Sequence, residues 1–245
     1  MQKWHWKDLK NKDKGMRLLI ISDLHICAPG MDIDKFQWGE DEFISTLVKM
    51  KNEKNIDKVI INGDIYDLYF FDYNDIKKGY QKLSKMIEES DWVIPLRGNH
   101  DELLTKFDDF FIIGNILIEH GNKGDVNGLK FLSDTFYFFA KIMDSIILKV
   151  PFLRKKYLSS FRQYASKNES KAEKNTLNYI RYGLDRLRYF DVVVFGHTHQ
   201  LQKMELTYGD VKKNYYNCGT CTGHRFQGVV LDTNTGAGEL IDVLP

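Results

Sequence analysis

Residues 17–25 read RLLIISDLH, five apolar or stem-rich positions followed by a serine, a carboxylate and an imidazole. The same grammar recurs along the chain. KVIIN (58–62) runs into GD (63–64), WVIPL (92–96) into GNHD (98–101), ILIE (116–119) into His120 and Gly121, and DVVVF (191–195) into GHTH (196–199). Short, Val/Ile-rich runs of nearly continuous apolar character are how strands covered on both faces read. Between the first two runs Phe43, Leu47 and Met50 recur at helical spacing, and between the next two Ile76, Tyr80, Leu83 and Ile87 do the same. Alternating strand and helix predicts a mostly parallel sheet with helices against it, in an α/β layered architecture. In such a sheet the carboxyl ends of the strands form the crevice where ligands bind, and each polar cluster stands at one of those ends.

The clusters offer neutral imidazoles, carboxylates and one amide. That donor mixture suits divalent Mn, Fe, Zn, Ni, Co or Mg, with Mn first, and does not suit thiolate-loving ions. Residues two apart on an extended segment point the same way, so Asp23 with His25, and His197 with His199, can each present two side chains to one ion cluster. Two divalent ions about 3.5–4 Å apart can turn a shared, bridging water into hydroxide at neutral pH and hold phosphoryl oxygens during in-line attack. Five of the seven histidines fall inside these clusters.

In order and type, the five motifs resemble the calcineurin-like metallophosphoesterase family, whose pattern runs D-x-H, G-D, G-N-H-[DE], H and G-H-x-H. The resemblance spans roughly residues 16–220. It implies a β-sandwich core flanked by helices, with Asp23, His25 and His199 on a first metal, Asn99, His120 and His197 on a second, and Asp64 bridging them. His100 would then be the catalytic non-ligand that contacts the phosphoryl group and protonates the leaving oxygen, with Asp101 orienting it and Asn99 also touching substrate. Asp67, three residues beyond the bridging carboxylate, is a candidate acceptor for a ligand histidine.

The rest of the chain frames this core. Residues 1–15 are polar, carry two tryptophans and lack the apolar stretch of a secretory signal, so they read as an N-terminal extension. The core is expected over 16–120 and 191–245. Residues 121–190 contain no β-rich run and hold 14 Lys or Arg against 6 Asp or Glu, apolar and aromatic at the front (FLSDTFYFFAKIMDSIILKVPF) and polar behind. This predicts a helical cap insertion. Its apolar stretch, Phe136 to Phe152, is interrupted by Lys141, Asp144 and Lys149, short of the roughly 20 apolar residues that span a bilayer. After Gln200, KMELTY, KNYYNC, GVVLDT and ELIDV read as antiparallel strands. A net charge of +1 on 245 residues gives no general pull toward nucleic acid or membrane, and three cysteines make no disulfide framework. A cytoplasmic protein is expected.

The cap's length and its apolar-then-basic composition resemble the UDP-diacylglucosamine pyrophosphohydrolase subgroup. The resemblance implies hydrolysis of the pyrophosphate of a UDP-sugar lipid, with Lys167, Lys171 and Lys174 near the substrate and peripheral membrane contact through the cap. One departure stands out: that subgroup reads G-N-R-D, and this chain has His100. Protein phosphatases read G-D-x-x-D-R-G, and Leu68 stands at the arginine. A phosphodiesterase or nuclease acting on nucleotides or nucleic acid is the alternative, and a non-catalytic scaffold of the same fold a further one. Outside the motifs, His5 reads as a solvated tail residue, Cys218 and Cys221 as small loop residues, Cys27 as a buried thiol near the metals, and Arg154, Lys155 and Lys156 as solvated surface. His224 follows the last motif near a glycine-rich turn.

Overall fold

A computed structural model describes residues 15–29, 35–69, 71–124 and 178–243. The chain divides into two compact units, residues 1–122 with 183–245, and residues 123–182. Of the second unit the described residues are 123–124 and 178–182, the latter helical. Of the cap expected over 121–190, residues 121–124 and 178–190 are described, helical over 178–186, and the rest, including Lys167, Lys171, Lys174, the Phe136 stretch and the Arg154 cluster, lies outside the described residues.

In the first unit the described strands form two five-stranded sheets. Sheet one contains β1 (Arg17–Ile21), β2 (Lys58–Asn62), β3 (Val93–Leu96), β9 (Phe226–Asp232) and β10 (Gly238–Val243), in the order β10-β9-β1-β2-β3. Sheet two contains β4 (Phe110–Ile113), β5 (Ile116–Glu119), β6 (Val192–Phe195), β7 (Leu201–Tyr208) and β8 (Val211–Cys218), in the order β4-β5-β6-β8-β7. Within each, three strands are parallel (β1-β2-β3 and β5-β6-β8) and the others antiparallel. The single mostly parallel sheet expected from alternation is thus two mixed sheets. The C-terminal strands account for the difference: β8 joins the second sheet, and β9 and β10 extend the first.

Strand periodicity divides the interior into two cores. Leu19 and Ile21 of β1 pack, with Val59 and Ile61 of β2, against Phe43, Leu47, Leu83 and Ile87 from the helices. Leu18 and Ile20 face the other way and meet Ile116, Ile118, Val192, Val194 and Tyr216 from the second sheet. Successive side chains of a strand point to opposite faces. An apolar run without alternation therefore marks a strand buried on both sides, and each of these β1 side chains is fully buried.

Helix α1 (Glu40–Glu53) starts with Glu40, Asp41 and Glu42 and ends near Lys51, charges that match the helix dipole. The second helical stretch is two helices, α2 (Tyr73–Gly79) and α3 (Gln81–Glu89). Asp72 caps α2 by accepting the backbone N–H of Asn74 at 2.8 Å. Tyr80 leaves helical conformation at φ −128°, ψ 59°. The described residues contain no helix long and apolar enough to cross a membrane.

Candidate metal centre

All five motifs lie just past the carboxyl ends of β1, β2, β3, β5 and β6, and the loops bearing them are laced together. Asp23 and His25 donate their backbone N–H groups to the carbonyls of Gly63 (3.1 Å) and Asp64 (2.9 Å). The His197 N–H donates to Asp23 Oδ2 at 2.9 Å, and the His100 N–H to Asp64 Oδ1 at 2.8 Å. Each carboxylate thus has one oxygen tied to backbone.

The backbone here is in an unusual state. Asp23, His25, Asp64, His197 and His199 have φ between 48° and 67°, five of the eight non-glycine residues with positive φ among the described residues. The left-handed region costs an L-residue about 1–2 kcal/mol, and such conformations concentrate at functional sites. The motif glycines have their own reasons. A Cβ on Gly98 would lie 2.1 Å from Asp64 Oδ1 and 2.4 Å from Asp64 N; one on Gly63, itself at φ 84°, would lie 2.5 Å from His120 Nδ1.

Ligand-capable atoms converge in two triads, Asp23 with His25 and His199, and Asp64 with His120 and His197, each with its atoms within 4.8 Å of one another. Asp64 lies between them, its Oδ2 being 3.2 Å from His120 Nε2 and 3.8 Å from His25 Nε2. His199 Nε2 lies 3.1 Å from Asp23 Oδ1 and 3.2 Å from His25 Nε2. A further group joins His25, Asp64 and His100. Asn99 Oδ1 is buried and has no hydrogen-bond partner, and Asp23 Oδ1 and His120 Nε2, buried and outside hydrogen-bonding geometry, face only the ligand-capable atoms of His199 and Asp64. A buried polar atom left unpaired costs about 1–3 kcal/mol. These three are the atoms through which an aspartate, an asparagine and a histidine would bind a metal, and the donor set fits divalent ions. His120 Nδ1 donates to the Asn62 carbonyl at 2.8 Å, which turns Nε2 toward Asp64 and the centre.

The buried carboxylates and imidazoles shift one another: burial lowers His120, but Asp64 beside it raises it to about 10. Burial pushes the Asp64 carboxyl upward, but the neighbouring histidines, His120 foremost, hold it well below the usual range. Asp23 is likewise lowered, its burial overcome by His199. Burial lowers His25 to about 3, so it is a neutral imidazole ready to ligate.

His100 and Asp101 separate in role. Asp101 is fully buried, and its carboxylate accepts from the backbone N–H groups of Gly98 (2.6 Å) and Ile65 (2.7 Å). It therefore braces the loop instead of orienting His100. The carboxylate at His100 Nδ1 is that of Asp67, 2.8 Å away. His100 Nε2 lies 4.0 Å from Asp64 Oδ2, toward the metal-ligand triads.

Other supports carry no motif. Thr220 Oγ1 donates to the Asp23 carbonyl at 3.1 Å, and the Cys221 N–H lies 3.1 Å and 3.2 Å from the carbonyls of Ser22 and Asp23. Asn217 Nδ2 donates to the Gly196 carbonyl at 2.7 Å, and Ser22 Oγ donates to Asp23 Oδ2. Their one sequence signal is position: Ser22 follows β1, Asn217 lies at the end of β8, and Thr220 and Cys221 follow it. Cys27, Cys218 and Cys221 are buried and form no disulfide, and burial pushes the Cys218 thiol up to about 12. His224 pairs with Glu42 at 3.0 Å and meets the Trp38 ring edge-on at 4.4 Å, a partnership on the α1 side. His5 lies outside the described residues.

The model of the calcineurin-like phosphoesterase family matches residues 16–201. The chain belongs to that family. Membership brings metal-dependent phosphoester hydrolysis as the general activity and divalent metals as its cofactors. Among solved structures, Vps29 from Entamoeba histolytica is similar at 17% identity and TM-score 0.40, covering 93% of this chain and 99% of that one. A conserved uncharacterized protein from Streptococcus pneumoniae, described as a predicted phosphoesterase, matches at 13% identity and TM-score 0.34, over 95% and 100%. The protein TT1561 of Thermus thermophilus matches at 11% and 0.42, over 94% and 99%. No curated protein matches the chain.

Proposed function

We propose that this phosphoesterase works with two metal ions and that its substrate is the pyrophosphate of a UDP-sugar lipid. The observation that supports the two-metal reading is the set of buried atoms without a hydrogen bond, Asp23 Oδ1, Asn99 Oδ1 and His120 Nε2, at and beside the two triads. Asp23, His25 and His199 would hold one ion, Asn99, His120 and His197 the other, and Asp64 both. Such ions, Mn foremost, supply Lewis-acid charge and an activated water.

The protein's own part is proton delivery and positioning. With Nδ1–H donated to Asp67, the His100 ring keeps its tautomer and turns Nε2 toward the metal side. When protonated, Nε2 can give its proton to the leaving oxygen, a contribution of about 10²- to 10⁴-fold. Asn99 and His100 would touch the phosphoryl group. The UDP-sugar lipid reading rests on the length and composition of residues 121–190, where Lys167, Lys171 and Lys174 would meet the substrate's charge and the apolar stretch its acyl chains or a membrane surface. The protein would then act in the cytoplasm.

The test is a side-by-side assay of Mn²⁺-loaded protein on UDP-diacylglucosamine, cyclic nucleotides and single-stranded DNA. Hydrolysis of the first into two phosphomonoesters is expected. Cleavage of a cyclic nucleotide or DNA in its place would move the substrate to the phosphodiesterase or nuclease class, and inactivity on all three with every divalent metal would leave a scaffold.

A further inference from the structure

We infer that Tyr69 is a positioning residue that holds the Asn99 amide and the His100 ring together, coupling occupancy of the second metal to the geometry of the proton donor. The inference rests on the two-metal reading above and goes beyond it, since no motif assigns Tyr69 a task.

Tyr69 lies on the loop that begins at Gly63, and the Leu68 N–H donates to the His100 carbonyl at 3.2 Å, holding this loop beside that of His100. The Tyr69 hydroxyl oxygen accepts from Asn99 Nδ2 at 3.2 Å. An amide has two ends, and with Nδ2 on the phenol the oxygen is the end left over. That Oδ1 is buried and without a hydrogen-bond partner, and it is the atom a metal takes. The phenol thus presents the amide oxygen.

The same ring constrains His100. Its centroid is 4.0 Å from that of the imidazole, at an interplanar angle of 36°, while His25 meets the imidazole edge-on at 4.5 Å and 89°. Asp67 fixes one point of the imidazole, at Nδ1. A single hydrogen bond leaves rotation about its own axis open, and packing against the ring faces closes it. Tyr69 therefore sets the tilt on which the aim of Nε2 depends.

Two substitutions divide the roles. Tyr69→Phe keeps the ring and deletes the hydroxyl; Tyr69→Leu deletes both. Calorimetric titration of metal-free protein with Mn²⁺ is expected to show two ions bound by wild type and the weaker one bound about 10- to 100-fold less tightly in both variants, the usual cost of losing a partner that orients a ligand. At saturating Mn²⁺, kcat on bis(p-nitrophenyl) phosphate is expected to be lower in Tyr69→Leu than in Tyr69→Phe, by about 10-fold or more, because ring misplacement of an ångström is costly in catalysis. Wild-type Mn²⁺ affinities in Tyr69→Phe, or equal kcat in the two variants, would overturn the inference. Failure of wild type to bind two Mn²⁺ ions would overturn the two-metal reading itself, and the inference with it.

Discussion

Two clusters of sheltered charge in the first unit look alike in composition and differ in how their atoms are partnered. Around Glu88 on α3, Oε2 faces Lys106 at 2.7 Å and Lys77 at 3.0 Å, while Oε1 accepts from the hydroxyls of Tyr73 and Tyr66. Lys106 also lies 4.8 Å from the Tyr73 ring centroid. Both Glu88 oxygens are satisfied by the protein itself. At the strand ends, by contrast, Asn99 Oδ1 is buried with no hydrogen-bond partner, and Asp23 Oδ1 and His120 Nε2 face only other candidate ligands, His199 at 3.1 Å and Asp64 at 3.2 Å. A cluster that closes on itself stabilises the fold; one held open in strained backbone is built to receive a ligand. Charge and burial alone would not separate the two.

Perturbations that touch one cluster and spare the other test that distinction. The largest effect is expected for Asp64→Ala, which removes the shared carboxylate: hydrolysis of an aryl phosphodiester should fall by about 10³-fold or more, given the several kcal/mol that metal charge supplies. Full activity in that variant would end the bridging assignment. Next comes metal itself. Adding Mn²⁺ at about 100 times its Kd should stabilise wild type by about 2.7 kcal/mol, a rise of roughly 5–10 °C in Tm, and Asp64→Ala should lose most of it. Glu88→Gln should keep that metal-dependent rise in full; if it abolished the rise, the two clusters would not be separate.

The smallest effect belongs to the closed cluster. Glu88→Gln should lower Tm by a few degrees, reflecting a partly exposed ion cluster worth about 1–2 kcal/mol. Burial pushes the Glu88 carboxyl up, but Lys106, Tyr73 and Lys77 bring it below its ordinary 4.5. A carboxylate depressed on folding contributes stability that is complete above its unfolded value and is lost as pH falls through the folded one. The Tm difference between wild type and Glu88→Gln should accordingly be constant near pH 7 and shrink below about pH 4.5. A difference that grew on acidification would show that the tyrosines and lysines do not favour the charged form.

Much of this was legible in the sequence because strand-end position and residue type travel together. RLLIIS and DVVVF each announce a strand buried on both faces, and the polar residues that follow have to emerge at one edge. Edge strand β4 gave no such notice, since its four residues are at best half-buried and lack alternation. The family pattern pointed to Asp101 as the partner of His100 because it is the next residue, whereas the loop folds so that Asp67, thirty-three positions away, meets the ring. Adjacency in the chain does not decide which carboxylate reaches a ring nitrogen. Tyr69, Thr220 and Asn217 were hidden for the same reason: their tasks exist only through backbone carbonyls and rings brought close by the fold. Nor does any residue type announce positive φ at five Asp and His residues on three turns, since they take that conformation only when their surroundings compel it.

The late position of Thr220 and Cys221 has a consequence for the order of assembly. On a chain emerging from the ribosome, His199 completes the set of motif side chains, yet the carbonyls of Ser22 and Asp23 have no partners from the β8–β9 turn until some twenty residues more have been made. A nascent chain stopped after Gln200 carries every motif histidine and aspartate but lacks β8, β9 and the turn that clamps the first loop. Closure of the first motif loop therefore waits on synthesis of the strands that knit both sheets together.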